Sequence, residues 1–250
     1  MRASDLAGLP EVQALRRRAG RLVTDPLPQG EEKTRAVTAM FDAIAPRYDL
    51  VNRVITLRMD VGWRKRAVAD LALPKRSIVL DLASGTGDLS RELRSRDLEA
   101  ISVDLSEGML RADRSGVPRV LANALTLPIK DGDVDGATSG FGLRNFSELP
   151  GFFTELARVV RTGGRVTLLE VATPNNAVLR WGHSIYFGRV VPVIGGLLSD
   201  GAAYRYLPRS VAYLPEPDDL VAMFRDAGFP DATRTLLSGG IAQLLTGTRG

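Results

Sequence analysis

The chain has 250 residues, 44% of them hydrophobic, with no cysteine, one histidine and a net charge of +4; that length allows one large domain or one and a half around a substantial core. Without cysteine there is neither a disulfide framework nor a thiolate metal site, and a lone histidine leaves no metal site to propose. The positive charge is largely arginine scattered along the chain, which makes the electrostatic case for nucleic acid weak and fits an anionic membrane surface about as well, and no stretch reaches the roughly 18 uninterrupted apolar residues of a membrane span, so any membrane contact is peripheral.

Residues 1–30 mix charges with Gly and Pro without a sustained period and read as an N-terminal arm. The opening MRASDLAGLP lacks the long apolar run of a signal peptide, so the expected address is the cytoplasm, on the inner face of the membrane where contact occurs. From Glu31 the pattern turns helical: Val37, Met40, Phe41 and Ile44 fall at i, i+3, i+4 and i+7, and Pro46 stops the run. A second helix is expected over DVGWRKRAVADLAL, making residues 31–74 a helical lid. After Pro74 the character changes. Strand SIVLDLA, helix LSRELRS, strand AISVDLS, a helix near EGMLRADR, a short strand RVLAN and strand VDGATSGF follow one another; then comes helix FFTELARVVR, closed by Thr162, Gly163 and Gly164, and the apolar strand RVTLLEV. This alternation predicts an α/β fold over 75–250, a doubly wound, mostly parallel sheet with helices on both faces. The apolar, aromatic stretch AVLRWGHSIYFGRVVPVIGGLLS interrupts the pattern after the fifth strand, within an insert over 177–215. Either it caps a pocket, or it lies in a membrane interface with Arg180 and Arg189 near phosphates and Trp181, Tyr186 and Phe187 at the headgroup level.

Ligands of such sheets sit at the carboxyl ends of the strands. The first strand runs into ASGTGDLS, where Gly85 and Gly87 let the backbone turn sharply and approach a ligand. Asp81, just before that turn, would repel a pyrophosphate and attract a ligand carrying an ammonium and a sulfonium. Asp104 closes the second strand, placed to accept from two ribose hydroxyls, and Asn123 with Ala124 closes the third, placed to hold an adenine edge. Each has a plainer reading: a Gly turn without ligand, or an Asp that only caps the next helix.

Together these features resemble the class I S-adenosylmethionine-dependent methyltransferases, with VLDLASGTGDL as the Gly-rich motif. MFDAIAPRYDLVNRVITLRMDVGWRKRAV, GFGLRNF, AYRYLPRSV and LSGGI resemble the quinone-biosynthesis C-methyltransferases that act on demethylmenaquinone or the ubiquinone precursor. The resemblance covers about residues 33 to 248. It implies a seven-stranded Rossmann-like sheet, methyl transfer from S-adenosylmethionine to a ring carbon of a prenylated quinol, demethylmenaquinol first, and cofactor contacts at Thr86, Asp104, Asn123, Ala124 and Gly140. Three positions depart from the family pattern: Gly140 replaces a serine, EVATP stands for E-F-S-[KT]-P and so brings in Val171, and Leu245 stands where a histidine is expected. These departures keep two alternatives open, a methyltransferase for a soluble aromatic acceptor and a catalytically silent quinone- or cofactor-binding homologue.

C-methylation requires a phenolic hydroxyl to ionise, pushing electron density onto the adjacent carbon. Arg144 is expected beside the methyl donor to lower that hydroxyl's pKa, with Asn145 orienting the oxygen; the alternative is a structural bridge from Arg144 to Glu170. Tyr48 at the lid's edge, with its neighbour Asp49, is a third catalytic candidate, packing and capping being its plainer role. Tyr204 and Tyr206 are candidates for the quinol slot. His183 is set aside as incidental. A homo-oligomer is compatible with the sequence.

Overall fold

The computed structural model describes residues 29–191, 193–194, 206 and 209–250; the expected arm up to residue 28, and Tyr204, lie outside the described residues. Among the described residues, three α-helices precede the sheet: α1 (Gly30–Ile44), α2 (Tyr48–Ile55) and α3 (Met59–Leu71). The apolar period of α1 buries Val37, Met40 and Ile44 as expected. The α-helix ends just before Pro46, as expected. Pro46 sits in the first turn of the 3-10 segment Ala45–Arg47, where a missing N–H is tolerated, and α2 starts at the next residue. The lid expected over 31–74 divides in two, because α3 packs on the sheet: Trp63, Ala67, Val68 and Leu71 share a core with Val79, Ala100, Leu169 and Leu244. α1 and α2 instead form their own apolar cluster with Met109, Val191 and Tyr206.

The sheet has seven strands in the order β3-β2-β1-β4-β5-β7-β6. They are β1 (Ile78–Leu82), β2 (Glu99–Asp104), β3 (Arg119–Leu121), β4 (Val134–Gly140), β5 (Val160–Val171), β6 (Thr233–Leu237) and β7 (Ala242–Thr248). β7 pairs antiparallel with β5 and β6; the other pairings are parallel. Alternate side chains feed two cores: Leu80, Leu82, Val166 and Leu168 face α6 (Leu149–Val159) through Phe152, Phe153 and Leu156, whereas Val79 and Leu169 face α3. Strand order reverses between β1 and β4, and the cleft at such a switch point is the expected ligand position.

The joint between α6 and β5 differs from expectation. The helix stops at Val159, and β5 already begins at Val160, so Thr162, Gly163 and Gly164 lie inside the strand. Val159 and Val160 are β-branched and buried at 0% and 1% exposure, and backbone bonds from Gly163 to Arg249 (2.8 Å) and from Arg249 to Gly164 (2.9 Å) extend the ladder there. Gly164 admits the close approach: a Cβ would fall 2.7 Å from the Asp135 carbonyl oxygen. The insert begins with α7 (Ala177–Ile185), capped by Asn176, and widens into a π turn over Tyr186–Val190. α7 buries no residue. Among the described residues no helix is long and apolar enough to cross a membrane. Pro217–Asp226 forms α8, which covers the α6 side of the sheet with Leu220 and Phe224.

Candidate active site at the strand ends

The cleft expected beside the first Gly turn is present. Its inner end is walled by Asp81, Ala83, Gly85, Thr86, Leu89, Gly140 and Tyr48, and its outer end by Asp104, Asn123, Ala124, Phe41, Met109 and Asn145. Gly85 has φ +56°, and its N–H donates to Asp104 Oδ2 at 2.8 Å, so the carboxylate at the end of β2 holds the turn at the end of β1. Asp104 Oδ1 accepts from the Ser106 N–H at 2.8 Å. Burial pushes the Asp104 carboxyl above its ordinary range despite these donors. The following helix is capped by Ser106, whose Oγ accepts from the Met109 N–H at 3.1 Å, so Asp104 anchors the turn rather than capping that helix. Asn123 spends its Oδ1 on the Leu125 N–H (3.0 Å), an Asx turn that shapes the outer wall.

Gly87 is tightly packed. It lines neither end of the cleft; a Cβ there would fall 2.2 Å from the Asp113 carboxylate, so the glycine is required by packing and by its φ of +79° ahead of α4 (Asp88–Ser95). At Gly140 a Cβ would meet Leu89 Cδ1 at 2.8 Å. That atom is the end of a flexible side chain, so nothing in the structure explains glycine here in place of the expected serine.

Below the turn lies a buried chain of oxygens. Ser90 donates its N–H (2.9 Å) and hydroxyl (2.7 Å) to Asp81 Oδ2, its hydroxyl meets that of Ser102 at 2.8 Å, and Ser102 meets Asp113 Oδ2 at 2.8 Å. Burial, with the nearby Asp113 and Asp104, pushes the Asp81 carboxyl up to about 7 against the pull of the Ser90 bonds. Its Oδ1 is buried without a hydrogen-bond partner.

The lid is tied to these loops. Asp42 accepts from Ser106 Oγ (2.5 Å) and the Gly108 N–H (2.9 Å), Thr86 Oγ1 donates to Asp49, and Arg53 pairs with Asp88 at 2.9 Å. Lys33 donates to the Phe146 carbonyl at 2.5 Å across the outer cleft, and burial lowers its pKa to about 8.

A second cavity, about 340 Å³ and mostly apolar, opens on the other side of Tyr48. Its walls come from α2 and α3 (Asn52, Ile55, Trp63, Arg64), from the strand ends (Phe141, Arg144, Val171) and from α7 and the π turn (Leu179, His183, Tyr186, Phe187). Tyr48 lines this cavity and both ends of the cleft. Burial raises its phenol pKa, against the opposing pull of Arg144. Arg144 lines the cavity and is also the buried bridge that the sequence offered as the alternative: Nη1 meets Glu170 Oε1, the Arg144 N–H donates to Oε2 at 3.2 Å, and Nε donates to Ser210 Oγ at 3.2 Å. Glu170 is fully buried.

Asn145 and Tyr206 stand elsewhere than expected. Asn145 lines the outer cleft, not the second cavity; its Nδ2 donates to the Phe141 carbonyl (3.3 Å) and its Oδ1 accepts from Tyr206 Oη (3.4 Å). Tyr206 does not line the second cavity. It is buried in the α1–α2 cluster, its phenol pKa raised by burial, and it donates to Asn145 while lying within electrostatic reach of Arg144 and Glu170. Of the departures from the family pattern, Val171 lies on the wall of the second cavity, whereas Leu245 pairs with Leu168 in the sheet and is fully buried in the α6 core, away from both pockets. Sequence reasoning missed Arg64, Trp63 and Phe141 as wall residues. Arg64 bridges Asp60 and Asp88 and lies over the Phe141 ring at 5.5 Å, a set of partners no local pattern discloses.

The model of the ubiE/COQ5 methyltransferase family matches residues 29–249. The chain is 40% identical over 237 residues to a demethylmenaquinone methyltransferase of Roseiflexus castenholzii, covering 90% of this chain and 98% of that protein. It is 44% identical over 223 residues to the demethylmenaquinone methyltransferase of Thermus thermophilus, covering 84% and 100%. A ubiquinone/menaquinone biosynthesis C-methyltransferase of Syntrophotalea carbinolica is 40% identical over 222 residues, covering 84% and 92%. Among solved structures, the putative methyltransferase bound to the Haloferax volcanii Trm112 activator superposes with a TM-score of 0.63 at 16% identity, covering 84% of this chain and 97% of that one. At that identity it shares the fold.

Proposed function

Because the chain belongs to the ubiE/COQ5 methyltransferase family, and so is an S-adenosylmethionine-dependent C-methyltransferase of quinone biosynthesis, we propose that it methylates a ring carbon of demethylmenaquinol held in the second cavity. The observation that carries this reading is the meeting of the two pockets: Tyr48 and Phe141 line both the cleft and the apolar cavity, so an acceptor ring there adjoins a donor in the cleft. Bound S-adenosylmethionine supplies a methyl group on a cationic sulfur. The cleft fits that molecule: the unpartnered, buried Asp81 Oδ1 suits an ammonium, Asp104 suits the ribose hydroxyls, and Asn123 with Ala124 suits the adenine.

Trp63, Phe141, Tyr186 and Phe187 give the cavity flat aromatic walls for a fused bicyclic ring. Arg144 places a permanent charge on the same wall, where it stabilises an ionising hydroxyl; Glu170 fixes its plane and tempers its field. Asn145, held by Tyr206, orders the strand-end turn through the Phe141 carbonyl. The α2 and α7 walls and the seated lid exclude water from the ionised ring.

Leu57, Val178 and Leu179 line the cavity, and Leu57 and Val178 are 70% and 76% exposed. With Trp181 (69% exposed) and the exposed Arg180 they form an apolar rim with a basic edge, a surface suited to lie on anionic lipid while a prenyl tail enters from the bilayer. The test is turnover on vesicles: with methyl-labelled S-adenosylmethionine and demethylmenaquinol in anionic liposomes, label is expected in the lipid phase as menaquinol. Label appearing only on water-soluble aromatics, or none with a folded, cofactor-binding protein, overturns the reading.

A further inference from the structure

C-methylation of a hydroquinone needs a place for the hydroxyl proton, and the cavity wall offers few. Arg64 and Arg144 are cations engaged by carboxylates. Burial works against the charge of Asp60, yet Thr56 and Arg64 hold it below the ordinary carboxylate range, so it is a poor base. Tyr48 and Tyr186 are phenols raised by burial and keep their own protons; Tyr186 also donates to the Ile55 carbonyl at 2.9 Å. That leaves His183. It lines the cavity from α7, its ring packs on Phe187 with centroids 4.4 Å apart, and its Nε2 is buried with no hydrogen-bond partner. Burial lowers its pKa below the ordinary 6.5, which keeps the imidazole neutral at neutral pH. A buried ring nitrogen without a partner is uncommon, and an entering hydroxyl would supply one.

We propose that His183 Nε2 is the proton acceptor for the acceptor's hydroxyl, a role that rests on the second cavity being the quinol site. As the hydroxyl proton passes to Nε2, the oxygen's electron pair moves into the ring, the ring carbon bonds to the methyl group, and the carbon–sulfur bond breaks with its pair left on sulfur. The methylated ring then loses its C–H proton to water and regains aromaticity as a phenolate, which takes the first proton back from Nε2. One proton reaches solvent per turnover. Arg144 stabilises the oxygen in both ionised stages while His183 carries the proton, a division of labour that a permanently charged guanidinium cannot perform alone.

The test compares His183→Gln, which keeps a similar volume and polarity, with His183→Ala and with Gly182→Phe, which projects from the same helix into the cavity where a Cβ meets nothing within 4 Å. Steady-state turnover of demethylmenaquinol is measured against pH, with cofactor affinity and melting temperature as controls. His183→Gln is expected to lower kcat about a hundredfold, to leave KM within about threefold and cofactor binding unchanged, and to abolish the acidic limb that the parent shows as the imidazole protonates. Added imidazole should restore part of the rate in His183→Ala. Parental kcat with an unchanged pH profile in a folded His183→Gln overturns the proposal, and so does a loss confined to KM. If instead Gly182→Phe leaves quinol KM and kcat untouched, the cavity is not the acceptor site, and that reading falls together with the role given to His183.

Discussion

Replacing Arg144 by alanine removes the one cation among the described residues that touches both Glu170 and the cavity. Glu170 is fully buried, and after the change it keeps two backbone donors, the residue 144 N–H at 3.2 Å and the Val171 N–H at 2.8 Å, but no counter-charge among the described residues. Breaking a buried pair by removing one partner costs about 3–5 kcal/mol. The surviving backbone bonds favour the lower end, about 3 kcal/mol, which for a chain of this size lowers Tm by roughly 6–12 °C. Any rate measured on that variant therefore mixes lost stability with lost catalysis. Arg144→Ala combined with Glu170→Gln separates them, because the neutral amide removes the orphaned charge and most of the lost stability should return. If Arg144 stabilises the ionising hydroxyl, the double variant should still turn over about a hundredfold more slowly, the usual consequence of losing one well-placed electrostatic group, and should recover partly at alkaline pH, where the acceptor ionises unaided. Methyl transfer into quinol and a calorimetric melt on the same sample decide the matter. A double variant with restored Tm and parental turnover refutes the catalytic role and leaves Arg144 as a structural bridge.

The Asp81 carboxyl, raised from 3.8 to about 7, binds more protons in the folded than in the unfolded chain between those values, so its contribution to the stability of the cofactor-free protein falls as pH rises through that window. Cofactor binding, if it brings an ammonium to Oδ1, favours the ionised form: affinity should weaken as pH falls below 7, and titrations at pH 6.5 in buffers of different ionisation enthalpy should report proton release, absent in Asp81→Asn. Buffer-independent enthalpies in the parent would remove the proton from Asp81. Asp104→Ala should weaken S-adenosylmethionine binding by about 1.5–3 kcal/mol through the lost ribose contact, and Asp104→Asn by less, since an amide oxygen still accepts one of the two loop N–H groups; equal affinity in both variants would make Asp104 a loop anchor only. Leu57→Ser with Trp181→Ser should reduce flotation on anionic liposomes at low salt without changing the melt, and equal flotation would place the membrane contact elsewhere on the chain.

The strands from 77 to 171 and the Gly turn were legible because their determinants are local: alternating apolar residues, a turn needing positive φ, and acidic residues at strand ends. The end of α6 was misread for a related reason. Val159 and Val160 suit helix and strand alike by hydrophobicity, and the ladder to Arg249 that decides between them comes from the far end of the chain. Arg144 was picked out by sequence, but its partners Glu170 and Ser210 are 26 and 66 residues away, and only the fold shows that guanidinium to be bridge and cavity wall at once. His183 was set aside because a single histidine carries no pattern; its significance lies in a missing hydrogen bond, which only packing reveals. Gly87 is a motif position whose smallness also serves packing against the Asp113 carboxylate, a partner 26 residues away that local pattern does not disclose.

The placement of α2 ties the two pockets into one device. Its first turn holds Tyr48 between the cleft and the second cavity and sends Asp49 to Thr86 in the Gly turn, while Arg53 in its last turn reaches Asp88 at the start of α4. The polar ties alone are modest, on the order of 1 kcal/mol each where partly exposed. The apolar cluster beneath them is larger: Val37, Met40, Ile44, Val51, Ile55 and Tyr206 are all buried against one another, and each such side chain is worth about 1.5–3 kcal/mol of burial. The lid therefore seats by its apolar face and takes its register from the polar ties. Because Tyr206 in that cluster also donates to Asn145, whose amide holds the Phe141 carbonyl, seating the lid orders the very turn that separates the two pockets. A donor in the cleft, trapped by α1 and α2, would thus complete the cavity wall formed by Tyr48, Asn52 and Ile55, so that a water-excluding acceptor site is at its best defined when the methyl donor is already in place.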